Sequence, residues 1–318
     1  MISTSKNSQP SVAVVIVNFN GLEYSSACID SLLHIDYPNS RIVMVDNGSS
    51  DSSGSMLVQS YEGKIEPILL SVNGGVTGGN NAGIEYALKN NFDYVLFLNN
   101  DTEVHPSFLT GLIDASLSDG QALVVPKIVC YFDQRRLDHW IGSDIDWWTS
   151  RPIGYHYYPL ESEEMNRKQR IGVASTCCLL VPLSVIRQIG LMDEDYFMYY
   201  DDADFTLRAS RAGYSMIYEP ASVVFHKCNK TTGTKQPSLF EYYLVNRNIF
   251  YFYGKFCNRP IVKSIVLAKI FTRLLLHFVG SLLLRKKRLQ YVAYLTLRDI
   301  VRGVRGPIPP EFFGENKK

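Results

Sequence analysis

Between residues 12 and 127, short runs of β-branched and aliphatic residues alternate with stretches whose apolar positions recur at helical spacing. The runs are VAVVIVN, RIVMVDN, IEPILLSV and YVLFLNN. The stretches between and after them are LEYSSACIDSLLHI, GIEYALKNN and FLTGLIDASL. This alternation predicts an α/β fold with a mostly parallel central sheet, in which a ligand lies beyond the carboxyl ends of the strands. Polar residues stand at those ends: Asn18 and Asn20, Asp46 and Asn47, then Asn99 to Glu103. Three separate strands therefore deliver polar groups to one edge.

Residues 130 to 169 break the pattern with an irregular, aromatic-rich insert, HWIGSDIDWWTSRPIGYHYYP, expected to form a loop or small β excursion over that edge. IGVASTCCLLVP then reads as a buried strand and is followed by a short helix ending at Ile189. In YYDDADFTLRASRAGY, the spacing of Phe205, Leu207 and Ala212 suits a helix stopped by Gly213. ASVVFH reads as a further strand. The segment IVKSIVLAKIFTRLLLHFVGSLLLRKKR places Lys263, Lys269, Arg273, His277 and Ser281 within an arc of about 120° on a helical wheel, with apolar residues around the remainder. Its longest run without Lys, Arg, Asp or Glu, Leu274 to Leu284, falls short of the roughly 20 residues that cross a bilayer. It is expected to lie on an anionic membrane surface, the alternative being a core or dimer helix with a solvated basic face.

Composition supports this division. The chain of 318 residues, 46% of them hydrophobic, can bury a substantial core, and its formal charge is only +1. That near-neutrality conceals ten Lys/Arg against the single acid Asp299 in residues 261 to 306, so this part carries +9 and the remainder −8. The two parts are expected to meet different surroundings. Nucleic acid fits poorly, because the basic stripe accompanies a broad apolar face and no aromatic-studded groove. The first apolar run is too short and too weakly flanked for a signal peptide, and the six cysteines show neither C-x-x-C spacing nor the density of a disulfide framework. Reduced thiols and a cytoplasmic location are the expectation. The organisation reads as a flexible 1–11, a main α/β domain over 12–256 with halves 12–127 and 128–256, to which the resemblance described below assigns nucleotide binding and acceptor binding with catalysis respectively, basic helices over 257–306 and a tail over 307–318.

Asp101 and Glu103, one residue apart just past a strand, offer hard oxygen ligands of the kind that suit Mg²⁺ or Mn²⁺; the bland alternative is a surface turn with a capping Asp. Asp201, Asp202 and Asp204 open a helix, where acids are ordinary dipole partners, but three neighbouring carboxylates exceed what capping needs. An ionised carboxylate there can accept a proton from a hydroxyl. Asp204 and Arg208 have the spacing of a structural ion pair. His226, at a strand end, becomes a third metal-ligand candidate. The glycines of NGGVTGGNNAG do not have dinucleotide-fingerprint spacing, yet permit close backbone approach to a phosphate or base ahead of the helix GIEYALKN; the alternative is a flexible turn.

Together these segments resemble the family 2 glycosyltransferases of GT-A fold, in the branch holding bacterial rhamnosyl- and galactofuranosyltransferases. The resemblance runs in order through VVIVNFNG, VMVDNGSSD, NGGVTGGNNAG, FLNNDTEV, GLMDEDYFMYYDDADFTLRASRAGY, PASVVFH and YYLVNRNIFYFY, spanning roughly residues 12 to 256. It implies a nucleotide-sugar site formed by Asn18, Phe19, Asp46, Gly78, Asn80 and Asn100. It further implies metal ligation of Mg²⁺ or Mn²⁺ by Asp101, Glu103 and His226, with Asp202 as catalytic base, and acceptor contacts from Asp201, Trp140 and Ser175. Two departures are visible: Asn99 and Asn100 stand where acids are common, and Glu103 replaces the second Asp of D-x-D. The implied reaction is an inverting transfer from a dTDP- or UDP-linked sugar to a glycan or lipid-linked glycan at the cytoplasmic face of a membrane. Rival readings are a non-catalytic nucleotide-sugar-binding or scaffolding relative, and a sugar nucleotidyltransferase. The second would require a glycine-rich basic loop where this chain has NFNGLEYSS.

Overall fold

The computed structural model describes residues 9–140, 144–149, 151–153, 156–227 and 238–308, apart from the side chains of Trp140, Arg151, Pro152 and Tyr157. In chain order the elements are β1 (Val12–Asn18), α1 (Leu22–Leu32), β2 (Ser40–Asn47), α2 (Ser53–Ser60), β3 (Ile65–Leu70), α3 (Gly75–Lys89), β4 (Tyr94–Asn99), β5 (Thr102–Val104), α4 (Phe108–Ser118) and β6 (Leu123–Cys130). The insert holds four two-residue strands, β7 (His139–Trp140), β8 (Ile145–Asp146), β9 (Arg151–Pro152) and β10 (His156–Tyr157). Then follow β11 (Gln169–Ile171), β12 (Cys178–Pro182), α5 (Leu183–Ile189), α6 (Asp201–Arg211), β13 (Met216–His226), α7 (Leu239–Phe256), α8 (Pro260–Leu283) and α9 (Lys287–Arg302).

The central sheet runs β11-β13-β6-β12-β4-β1-β2-β3, with β5 paired to β13. β1 is parallel to β2 and β4, β2 to β3, and β13 to β6, as the alternating pattern predicts. β12, read as a buried strand, enters antiparallel between β4 and β6. The period-two geometry of β1 divides its side chains between two cores. Val12, Val14 and Ile16 pack with Ile29 of α1, Leu57 of α2 and Leu112 of α4; Ala13 and Val15 pack with Ile84 of α3, Val185 of α5 and Phe205 of α6. A sheet covered on both faces needs near-continuous apolar strands, and β1, β4 and β6 have them.

Two expectations change. The glycine-rich segment is not a loop ahead of a helix, because α3 begins at Gly75 and contains all of it but Asn73 and Gly74. A Cβ on Gly79 would stand 2.5 Å from Val17, and one on Gly83 would stand 2.3 Å from Val15. These glycines let α3 press against β1. The second concerns the basic helices of residues 257–306, which pack into the rest of the chain along one side. Val262, Val266, Ile270 and Leu274 of α8 share a core with Tyr196, Leu207, Phe252 and Phe256, while Val292 and Leu295 of α9 share one with Tyr243 and Ile308.

Candidate active site

Strand register assembles the edge. Parallel pairing sets Asn18 beside Asp46 and Val17 beside Asn99. At this edge lies a cavity of about 320 Å³, bordered by Phe19, Asn47, Asn80, Asn99, Asn100 and Asp101 from the first half of the chain. Thr176, Phe197, Met198, Phe240 and Ile308 close it from the second half. The sequence had pointed to Phe19, Asn80, Asn100 and Asp101; the second-half walls were missed, being isolated side chains with no local pattern.

Asn18 and Asp46 stand behind the cavity wall and do not line it. The Asn18 amide donates to Asp46 Oδ1 at 2.8 Å and Ser53 Oγ at 2.8 Å, while its carbonyl accepts from Ser25 Oγ at 2.7 Å. Asp46 also accepts from Ser49 Oγ at 2.6 Å, and a Cβ on Gly54 would fall 2.3 Å from its carboxyl carbon. Both side chains are thus committed to fastening β1, β2 and the start of α2. Asn100 extends the network by donating to Ser25 Oγ at 2.8 Å, and it also borders the cavity. Gly78 lies in the first turn of α3, where its N–H donates to Gly74 at 3.2 Å and its Cα position faces open space. Asn47, unassigned from sequence, borders the cavity and ties its floor together, donating to Asn73 Oδ1 and the Gly75 carbonyl while accepting from the Gly74 N–H.

At the far end of the cavity, Asp101 occupies the turn between β4 and β5, and the antiparallel pairing of β5 with β13 brings His226 across from Thr102. His226 Nε2 lies 3.1 Å from Asp101 Oδ1. Glu103 is not brought to this point. Lys227, the next residue after His226, takes its carboxylate at 2.6 Å, and strand alternation turns Glu103 away from the core side held by Thr102 and Val104. The other ring nitrogen of His226 is 3.2 Å from Asp138 Oδ2, and the same oxygen is 2.7 Å from His139 Nδ1. Asp138 and His139 escaped sequence reasoning because they lie in the irregular insert. Burial alone would raise the Asp138 pKa, but the two imidazoles hold it well below the carboxylate range. Burial likewise opposes the His226 imidazolium, yet Cys177 and then the flanking Asp101 and Asp138 carboxylates raise its pKa.

The donor set fits a divalent cation of the Mg²⁺ or Mn²⁺ kind that displaces the proton held between His226 Nε2 and Asp101. One carboxylate oxygen and one imidazole nitrogen converge from one side, with Asp138 backing the ring, and such ions fill their remaining positions with water and substrate phosphate. Among the described residues no group of three His, Cys, Asp or Glu side chains gathers as a complete protein cage.

Asp201 and Asp202 begin α6 after a segment in which Phe197, Tyr199 and Tyr200 all have positive φ, between 65° and 69°. Such backbone is costly for aromatic residues, and Asn248 of α7 holds it by donating to the carbonyls of Tyr196, Met198 and Tyr199 at 2.8–2.9 Å. Burial, then the charge of Asp202, pushes the Asp201 pKa up to about 8. Asp202 is also raised by burial, but the Ala203 N–H at 2.7 Å and the nearby His139 work the other way. Burial thus raises both carboxyls, while the Ala203 N–H and His139 favour the charged form of Asp202. Asp204 pairs with Arg208 at 2.6 Å, as its spacing predicts, and also with Lys255. Ser175 caps its own loop by accepting from the Cys177 N–H, and its neighbour Thr176 reaches the cavity instead. Trp140 pairs through its backbone with His156, and its side chain lies outside the described residues. Trp147 stacks on Phe252 as core, while Trp148 is half exposed.

The family model "Glycosyl transferase family 2" matches residues 13–190, more than half of the chain. The chain belongs to glycosyl transferase family 2. Among its relatives, the low-salt glycan biosynthesis hexosyltransferase Agl10 of Haloferax volcanii is 26% identical over 286 residues, covering 89% of this chain and 87% of that protein. The dTDP-rhamnosyl transferase RfbF of Shigella flexneri is 25% identical over 317 residues, covering 93% and 97% respectively. Of the solved structures, GalNAc-T7 with UDP, GalNAc and Mn²⁺ aligns with a TM-score of 0.59 at 17% identity, over 81% of this chain and 52% of that one. TarS of S. aureus aligns at 0.52 and 16%, over 83% and 43%. The glycosyltransferase therefore spans about half the length of these two structures, which show its GT-A fold and no more.

Proposed function

We propose that the protein is an inverting, divalent-metal-dependent transferase. It would move a rhamnose-like sugar from a dTDP- or UDP-linked donor to a glycan or lipid-linked glycan in surface polysaccharide synthesis, on the cytoplasmic face of an anionic membrane. The observation that carries this reading is the convergence of Asp101 and His226 at one end of the cavity, with Asp138 and His139 leading from them toward Asp202. The likeness to a dTDP-rhamnosyl transferase supports the donor, and the Mn²⁺ in the GalNAc-T7 structure supports the cation.

In this mechanism Phe19, exposed at the cavity, offers a face for the nucleobase, Asn80 and Asn100 offer amide groups to the donor, and Asn47 holds the cavity floor in place. Asp101 and His226 would hold the cation, with Asp138 fixing the His226 ring so that Nε2 faces it. When bound, the cation supplies positive charge that stabilises the diphosphate leaving group. The Asp202 carboxylate takes the proton of the acceptor hydroxyl as that oxygen bonds to the anomeric carbon, and the bond from this carbon to the diphosphate oxygen breaks on the opposite face. Its raised pKa moves the base toward the operating pH, which favours proton transfer.

The test is a thermal-shift series with dTDP- and UDP-sugars, with and without Mn²⁺, on the intact protein and on Asp202→Asn. The expected result is metal-dependent stabilisation in both, with turnover of the variant lowered about 10²–10⁴-fold. Absence of metal-dependent stabilisation by any nucleoside diphosphate would sink the reading, and full turnover in the variant would remove Asp202 from its role.

A further inference from the structure

Helix α8 is 24 residues long, and not all of its basic side chains point where an isolated surface helix would send them. Lys263 donates to the Gly254 carbonyl at 3.2 Å, Arg273 to Asn246 Oδ1 at 2.8 Å, and His277 lies 3.1 Å from the Tyr242 hydroxyl. Part of the expected basic stripe is therefore engaged by α7, although Lys269, Arg273 and His277 remain exposed. A second outward face is uncharged and apolar: Ile261, Ile265, Leu276, Val279 and Leu283 are 72%, 43%, 64%, 43% and 80% exposed. An uncharged face of this length on a soluble protein marks an interaction surface.

Charge along its border indicates the partner. Lys269 and Arg273 flank a groove that also contains Ile265 and Leu276, and the helix ends in four exposed cations, Arg285 to Arg288. No Asp or Glu occurs from residue 242 to residue 298, so a second copy of this surface has no acid to set against those cations. Anionic lipid headgroups above an acyl layer complement both features. Although its longest charge-free run is short, the 24-residue helix as a whole is long and apolar enough by length and composition to cross a bilayer. Crossing would strip Val262, Val266, Ile270 and Leu274 from their core with Phe252 and Phe256, so the helix lies along the surface.

We propose that the outward face of α8 sits in the headgroup–acyl boundary of an anionic bilayer, with Arg285–Arg288 on the phosphates. This rests on the membrane location proposed above and names the face responsible. It also orients the enzyme. The three α7–α8 contacts run antiparallel, pairing the end of α8 with the start of α7, where Phe240 borders the donor cavity. The cationic end lies about 12 Å along the chain axis beyond His277. The cavity thereby stands close to the membrane, where a lipid-linked acceptor is held.

The experiment is flotation of the full chain with vesicles of phosphatidylcholine alone and of phosphatidylcholine with phosphatidylglycerol. Variants are Leu276→Gln with Leu283→Gln, and Lys286→Gln with Lys287→Gln; all four positions are exposed, so folding is spared. The protein is expected to float with the anionic vesicles in a salt-sensitive manner. The leucine pair should lower partitioning about 100-fold and the lysine pair about 30-fold. Failure to float with anionic vesicles, or equal flotation of the leucine variant, overturns the proposal. So does a lipid-free dimer that the leucine substitutions dissociate, which would assign the face to a second copy. Thermal shift by the nucleoside diphosphate with Mn²⁺, run on the same samples, reads the transferase proposal separately.

Discussion

Asn248→Ala tests how α7 holds the segment in front of Asp202. The wild-type side chain offers two N–H groups to three carbonyls, those of Tyr196, Met198 and Tyr199. The Tyr196 carbonyl retains the Met198 N–H at 2.8 Å and Arg247 at 3.3 Å, so the variant leaves chiefly Met198 and Tyr199 without this donor. At roughly 1–2 kcal/mol for each such group, the loss in stability is about 2–4 kcal/mol. Part of it is offset by relaxation, since Phe197, Tyr199 and Tyr200 are then free to leave positive φ. That relaxation displaces Asp202, two residues beyond Tyr200, and a shift of about 1 Å lowers turnover on the order of 10²-fold. Urea denaturation followed by tryptophan fluorescence gives the first quantity, with the midpoint falling and the slope unchanged. Steady-state turnover gives the second. A stability loss below about 0.5 kcal/mol together with unchanged turnover would refute the reasoning.

Gly83→Ala should destabilise by about 1–3 kcal/mol despite alanine's better helix propensity, because the added methyl meets Val15; Val15→Ala in the same chain should recover much of this, and simple additivity in urea titrations would count against the close packing. Asp138→Asn should weaken Mn²⁺ binding about 10–100-fold by loosening the His226 ring, as read by electron paramagnetic resonance of free Mn²⁺; unchanged affinity would exclude the orienting role. Asp201 has its folded pKa raised from 3.8 to about 8, so the native state binds the extra proton between these values. Its stabilising contribution is complete below pH ~4 and declines as pH rises toward 8, by up to about 1.4 kcal/mol per unit. Asp201→Asn should flatten that decline in denaturation measured across the range, and a slope identical to wild type would show that another group is responsible.

Local pattern carried much of this protein. The alternation of apolar runs and helical spacing determined the α/β class, because a strand buried on both faces must be continuously apolar, as β1 and β4 are. The parallel strand order then placed Asn18, Asp46 and Asn99 at one edge. The positions of Asp101, Asp202 and His226 were legible because they stand in the turn after a strand, at the opening of a helix and at a strand end, which sequence punctuation marks. What escaped depended on contacts between distant segments. Whether a polar residue faces the cavity or fastens the wall behind it is decided by neighbours up to 35 residues away, as for Asn18 bound to Ser53. Glu103 was assigned by motif spacing, but the pairing of β5 with β13 gave its carboxylate to Lys227. Asp138 and His139 sit in an insert without periodicity, so only the folded chain brings them to His226. For α8, the wheel of residues was correct from sequence, but a wheel has no outside. Burial of Val262, Val266, Ile270 and Leu274 against α7 fixed which side faces in, with Lys263, Arg273 and His277 engaged at its border and a second apolar face left exposed.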